Sequence, residues 1–220
     1  MIWIKICGTT SLQDALAAAE AGASALGFVF APSPRQISPA AARAIVAQLP
    51  AKVETIGVFV NEQPERMRAI AEQVGLSGLQ LHGDESAEVG RALQAGANGR
   101  RLKLFKTLHM GRACNMPFAE TRALGEFYDA LLLDSGSAQQ PGGTGRVFDW
   151  EDAARTAAML RVTSNIIVAG GLTPENVAEA VARFQPWGVD VVTGVEREPG
   201  HKDAEKVRKF VQAAREPIQN

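Results

Sequence analysis

The sequence predicts an α/β chain closed into a single (β/α)8 TIM barrel over residues 1–220. Eight short apolar runs alternate with amphipathic or alanine-rich stretches, and polar, glycine-bearing segments follow the runs. Eight units in 220 residues leave about 27 each, close to a minimal βαβ repeat, so a compact closed barrel fits better than an open sheet.

The strands are expected at Ile2–Ile6, Ala25–Phe30, Val53–Val60, Gly78–Leu81, Leu102–Phe105, Ala130–Leu133, Ile166–Ala169 and Val189–Val192. Each is a nearly continuous apolar run, the pattern of a parallel strand covered on both faces. The helices between them are expected at Leu12–Ala21, Pro39–Leu49, Pro64–Val74, Ala87–Ala95, Asp152–Leu160, Pro174–Phe184 and Asp203–Ala214. Between Gly111 and Phe127 the periodicity is mixed and Pro117 interrupts it, which predicts a short or irregular fifth helix. Trp150 reads as the first turn of the helix that follows it.

Composition narrows the function. Hydrophobic residues make up 46% of the chain and charged residues 21%, enough for a large core. Twenty-three basic against 24 acidic residues give a net charge of −1 with both signs dispersed, so nucleic acid is not an expected partner. Cys7 and Cys114 form neither a disulfide framework nor a zinc pattern, and the first residues turn polar too early for an export signal or a membrane span. A cytoplasmic protein without membrane contact is the expectation. Three scattered histidines predict no metal site.

In such a barrel the strand C-termini carry the active site. Gly170-Gly171 precede a helix whose start is marked by Thr173 and Pro174, and Thr193-Gly194 follow the eighth run next door. Glycine lets an anion approach backbone N–H groups closely, and a helix N-terminus adds partial positive charge, so a phosphorylated small molecule is the expected ligand. The same glycines also suit plain tight turns. Cys7 ends the first strand and Asp134 the sixth, where a thiol could act as base and a carboxylic acid as acid. Taken alone, Cys7 also looks like a small buried hydrophobe, and Asp134 like a loop cap. Arg35 sits between Pro34 and Gln36, as a partner for a carboxylate or phosphate or as a solvated surface residue.

Several motifs stand in register along nearly the whole chain: Lys5-Ile6-Cys7-Gly8-Thr9-Thr10, Ser33-Pro34-Arg35-Gln36-Ile37-Ser38, Gly57-Val58-Phe59-Val60-Asn61, Leu79-Gln80-Leu81-His82-Gly83 and Leu132-Leu133-Asp134. Gly27-Phe28-Val29-Phe30, Gly142-Gly143-Thr144-Gly145 with Phe148-Asp149-Trp150, Ala169-Gly170-Gly171-Leu172-Thr173-Pro174-Glu175-Asn176-Val177 and Gly194-Val195-Glu196, with Pro199-Gly200 and Lys202-Asp203, complete the set. Together they resemble the motifs of phosphoribosylanthranilate isomerase.

The resemblance implies an enzyme of tryptophan biosynthesis that performs an Amadori rearrangement without a cofactor. It implies Asp134 as the acid that opens the sugar ring, Cys7 as the base that removes the C2' proton, and Arg35 as the holder of the anthranilate carboxylate. Amides around Gly143, Gly171 and Gly194 would hold the phosphate, and family members occur as monomers or homodimers. One departure stands out: Val192-Thr193-Gly194 replaces the more usual Ser-Ser-Gly, which predicts weaker phosphate binding with the chemistry intact. The same departure motivates an alternative, a non-catalytic or altered-specificity barrel that binds sugar phosphates.

Overall fold

A computed structural model describes residues 1–94, 101–113, 116–134 and 150–216. Eight parallel strands close into a barrel in chain order, β1 (Trp3–Cys7), β2 (Ala25–Val29), β3 (Glu54–Phe59), β4 (Gly78–Leu81), β5 (Lys103–His109), β6 (Ala130–Asp134), β7 (Asn165–Ala169) and β8 (Gly188–Val191). Helices α1 (Leu12–Ala21), α2 (Pro39–Val46), α3 (Pro64–Val74), α4 (Ala87–Gln94), α5 (Met110–Ala113), α6 (Phe118–Phe127), α7 (Trp150–Leu160), α8 (Val177–Phe184) and α9 (Ala204–Arg215) connect them and cover the sheet. Beyond β8 come a one-turn 3-10 helix, Thr193–Val195, and a small hairpin of β9 (Glu196–Glu198) and β10 (His201–Lys202).

Local chemistry sets the helix ends. Ser11 caps α1 by accepting the Asp14 amide, and Gly22 ends it at φ 95°, a conformation that glycine adopts without side-chain strain. Pro64 opens α3, where its missing N–H costs nothing. Asp203 caps α9 by accepting from Glu205 and Lys206.

Several expected boundaries shift, and α2 ends at Val46 rather than at Leu49. The fifth strand runs on to His109, because Lys106 is buried and donates to Glu85 at 2.7 Å and to the Gly83 carbonyl at 2.6 Å. A charged residue at that position reads as loop only if its buried partner is unknown. The irregular stretch before β6 resolves into two helices, α5 and α6. In the last third, α8 starts at Val177 rather than at Pro174. Asn176 holds the intervening turn by accepting the Thr173 amide at 2.8 Å and donating to the Gly171 carbonyl at 3.0 Å.

Alternation along each strand separates two cores. Outward residues such as Ile4, Ile6, Leu79 and Leu131 pack against the helices. Inward residues fill the barrel, and the lower end is apolar: Trp3 stacks on Trp187 at 5.1 Å between ring centres and tilts against Phe105 at 5.5 Å.

Above this plug lies a polar layer. Lys5, 0% exposed, faces Asp190 across the β1–β8 seam with 2.9 Å between ammonium and carboxylate. The same ammonium donates to Gln80 Oε1 at 2.7 Å, and Gln80 Nε2 donates on to Thr107 Oγ1 at 3.2 Å. An ion pair this deep repays its desolvation only while both partners are present. Lys5→Met should therefore cost about 3–5 kcal/mol, and pairing it with Asp190→Leu should recover most of that loss. Denaturant midpoints of the two variants check this.

Candidate active site

A cavity of about 340 Å³ opens at the C-terminal end of the strands, directly above the polar layer. Cys7, Arg35, His82, Asp134, Gly170, Gly171 and Thr193 line it, brought together from β1, β4, β6 and the loops after β2, β7 and β8. Val29, Val58 and Pro32 add apolar wall. Of the residues singled out from sequence, Gly194 lies one position beyond the lining, and Gly143 lies outside the described residues.

Cys7 is buried at the top of β1, two residues above Lys5 and on the same inward face. Its register partner on β2 is Gly27, where a methyl group would come 2.5 Å from the Cys7 sulfur. Glycine there is what makes room for the thiol. Burial pushes the Cys7 thiol up, the Lys5 ammonium draws it back by charge, and Asp190 pushes it up again. Lys5 itself is lowered by burial, but Asp190 and then Cys7 outweigh that, so it stays a firmly held cation.

His82 was not among the residues chosen from sequence, yet it stands in the cavity wall with Nε2 3.9 Å from Asp134 Oδ2. Donor logic fixes its tautomer. Lys5 can only donate, so the Gln80 atom that it meets is the oxygen; Gln80 Nε2 therefore points at His82 Nδ1, 3.1 Å away, and Nδ1 must accept. Burial keeps the imidazole below its ordinary pKa against the pull of Asp134, with His109 adding to the lowering. Neutral His82 thus carries its proton on Nε2, on the side of Asp134. The available signal is period two along β4 continued one residue past its end at Leu81, which puts Gln80 and His82 on one face.

Arg35 is fixed in position. Its Nε and Nη2 donate to the two oxygens of Glu196 at 2.8 and 2.7 Å, so the solvated-surface alternative is set aside. Its aliphatic stem lies against Gly8, where a methyl group would come 2.6 Å from Arg35 Cδ.

The glycine loops form one wall. Gly170 and Gly171 both take the left-handed conformation, at φ 83° and 67°, and nothing lies within 4 Å of where a Gly171 side chain would start. Gly194 packs against the Leu172 carbonyl so closely that no side chain fits, which joins the loops after β7 and β8. Because α8 starts at Val177, the amides at Gly171 and Leu172 are loop amides and not its first turn. Val192 lines the cavity, and its carbonyl accepts from Lys202 at 3.4 Å. Among the described residues no three His, Cys, Asp or Glu side chains converge as metal ligands, and no helix is long and apolar enough to cross a membrane.

Thiol, carboxyl and imidazole about one cavity, with open glycine loops and a fixed guanidinium, define a (β/α)8 enzyme suited to acid–base work on a small anionic substrate. The comparisons make this specific. The profile of the family described as N-(5'phosphoribosyl)anthranilate (PRA) isomerase matches residues 4–213. The chain is 46% identical over 218 residues to the N-(5'-phosphoribosyl)anthranilate isomerase of Desulforudis audaxviator (strain MP104C), covering 99% of this chain and 100% of that one.

Among solved structures, the phosphoribosyl anthranilate isomerase of Thermotoga maritima superposes with a TM-score of 0.83 at 38% identity, covering 97% of this chain and 98% of that one. A phosphoribosyl anthranilate isomerase in complex with reduced 1-(o-carboxyphenylamino)-1-deoxyribulose 5-phosphate gives a TM-score of 0.79 at 38% identity, with the same coverage. This chain belongs to the N-(5'-phosphoribosyl)anthranilate isomerase family.

The fit between Cys7 and Gly27 gives a direct test. Gly27→Ala should displace the thiol and cost about 1–3 kcal/mol through overpacking, with turnover falling more than the stability loss accounts for. Thermal melts beside initial rates separate the two effects.

Proposed function

We propose that this barrel converts N-(5'-phosphoribosyl)anthranilate to 1-(2-carboxyphenylamino)-1-deoxyribulose 5-phosphate, with Asp134 as acid and Cys7 as base. The observation that carries these roles is that thiol and carboxyl, from strands on different sides of the barrel, line one cavity in a chain of this family.

Asp134 gives a proton to the furanose ring oxygen as the C1'–O bond breaks, and the anthranilate nitrogen supplies the electrons that make the Schiff base. Cys7, as thiolate, then takes the C2' proton. The C2'–H electrons form the C1'=C2' bond, and the imine pair returns to nitrogen. The resulting enolamine picks up a proton at C1' and loses one from the C2' hydroxyl, which leaves the ketone. An aldose-to-ketose shift of this kind needs one acid and one base, and no redox partner.

His82 presents its Nε2 proton toward the Asp134 carboxyl and can steady the carboxylate left after proton donation. Arg35 meets the anthranilate carboxylate, Val29, Val58 and Pro32 offer apolar surface for the ring, and Gly170, Gly171, Thr193 and Gly194 receive the phosphate. Gly143 joins the phosphate loops as an expectation from the family resemblance. The small phosphorylated substrate needs neither nucleic acid nor membrane, and the cytoplasm supplies the reducing setting that a thiol base requires. Nothing in the family match favours a barrel that binds without turnover.

The decay of anthranilate-type fluorescence, with substrate made in situ, tests the assignment. Cys7→Ala and Asp134→Asn should each lower kcat by about a hundred- to ten-thousandfold while substrate affinity stays largely intact. Near wild-type kcat in either variant would remove that residue from its role.

The pH profile is a second check. Since burial outweighs the pull of Lys5 and keeps the Cys7 thiol above its ordinary range, kcat/KM should go on rising with pH beyond about 8.5, where a free thiol is half ionised. A plateau already reached near neutrality would place the base elsewhere. The sign for stability is opposite: the Cys7 contribution is fully present below the pKa of the unfolded thiol and is lost as pH rises through the higher folded value.

A further inference from the structure

The hairpin after β8 brings a second buried ion cluster to the cavity wall. Glu196, on β9, accepts both Arg35 bonds, and its Oε1 also accepts Lys202 Nζ at 3.0 Å and the Gly200 amide at 3.2 Å. Lys202 stands opposite Glu196 in the β9–β10 register and is 3% exposed. Its own amide donates to Asp14 Oδ2 at 3.1 Å, which ties the hairpin to α1.

Two consequences follow from this geometry. A guanidinium is a planar fork, so engaging Nε and Nη2 on one carboxylate fixes the plane of the whole group and leaves Nη1, on its other side, for a second acceptor. The charges also do not cancel. Arg35 and Lys202 bring two positive charges and Glu196 one negative, which leaves these three side chains one net positive charge; the Asp14 carboxylate at the Lys202 amide and the Lys206 ammonium at the Glu196 carbonyl add one charge of each sign. Without Lys202, the Glu196 carboxylate would neutralise the arginine that it aims.

We propose that Glu196, balanced by Lys202, is a positioning residue that aims Arg35 and thereby sets the preference for substrates bearing an anionic carboxylate on the aromatic ring. This rests on the reading that Arg35 receives that carboxylate. Glu196 supplies the angle of the guanidinium, and Lys202 preserves its charge.

Two stable amines test the proposal: 1-(2-carboxyphenylamino)-1-deoxyribitol 5-phosphate, and its phenylamino counterpart without the carboxylate. The ratio of their Kd values, by calorimetric titration of the whole protein, is the readout. Glu196→Gln should reduce the preference for the carboxylate ligand by about tenfold, the scale of one charge-assisted hydrogen bond, with much less change for the phenylamino ligand. Lys202→Met should reduce it severalfold through charge, and Glu196→Asp, which keeps the charge and shortens the reach, should reduce it through geometry.

An unchanged or increased preference in folded Glu196→Gln would overturn the proposal, since it would mean that Glu196 only offsets the arginine's charge. If Glu196→Gln does not fold, an unchanged preference in both Glu196→Asp and Lys202→Met overturns it instead. Arg35→Met separates the two levels: a preference that survives this variant refutes the carboxylate role of Arg35 itself, whereas one lost there and kept in the Glu196 variants refutes only the positioning role. In rates, the Glu196 effect should fall on KM more than on kcat, and an equal fall in kcat/KM for ring-carboxylate and ring-unsubstituted substrates would count against it.

Discussion

Lys5 and Asp190 meet across the seam where the last strand closes on the first, and the rest of the interior is arranged around that contact. A buried ammonium fixes more than its own partner. It donates to Gln80 and so sets which way that amide points; the amide sets the tautomer of His82; and His82 stands beside Asp134. A single donor-only group thus orders polar atoms from one wall of the barrel to the other. The apolar plug of Trp3, Phe105 and Trp187 closes the barrel below this layer.

The arrangement also bears on the base role proposed for Cys7. Burial alone would leave Cys7 an inert neutral group, but Lys5 sits two residues below it and offers its thiolate a fixed positive charge. Asp190 tempers that charge while keeping the lysine in position. Such a preset field needs little rearrangement during the reaction. The upper rim repeats the device: Glu196, itself bonded by Lys202, holds Arg35, as Asp190 and Gln80 hold Lys5. In both places a buried carboxylate orients a cation, Arg35 in the cavity wall and Lys5 in the layer beneath it.

Much of this is legible in the sequence alone. The eight apolar runs located all eight strands, because parallel strands covered on both faces leave an uninterrupted hydrophobic signal. Cys7, Arg35, Asp134, Gly170, Gly171 and Thr193 were found from their places at strand ends, and the cavity gathers them. What escaped was paired chemistry. Lys5 in an apolar strand makes sense only with Asp190, far along the chain. Lys106, at the point where β5 was expected to have ended, makes sense only with Glu85. Glu196 and Lys202 registered as motif letters, since nothing local ties them to Arg35. The start of α8 was misplaced because Thr173 and Pro174 carry the usual opening signals, while Asn176 bonds within the turn and delays the helix.

If the polar layer sets the ionisation of Cys7, a direct titration of that thiol will show it. The ultraviolet absorbance of the thiolate would be followed against pH in a Cys114→Ser background, with and without the paired Lys5→Met and Asp190→Leu replacements. The midpoint should lie above that of an ordinary thiol in the parent and move higher still once the lysine's charge is gone. A midpoint that stays in place or falls in the paired variant would show that the layer beneath Cys7 holds up the barrel without acting on its chemistry.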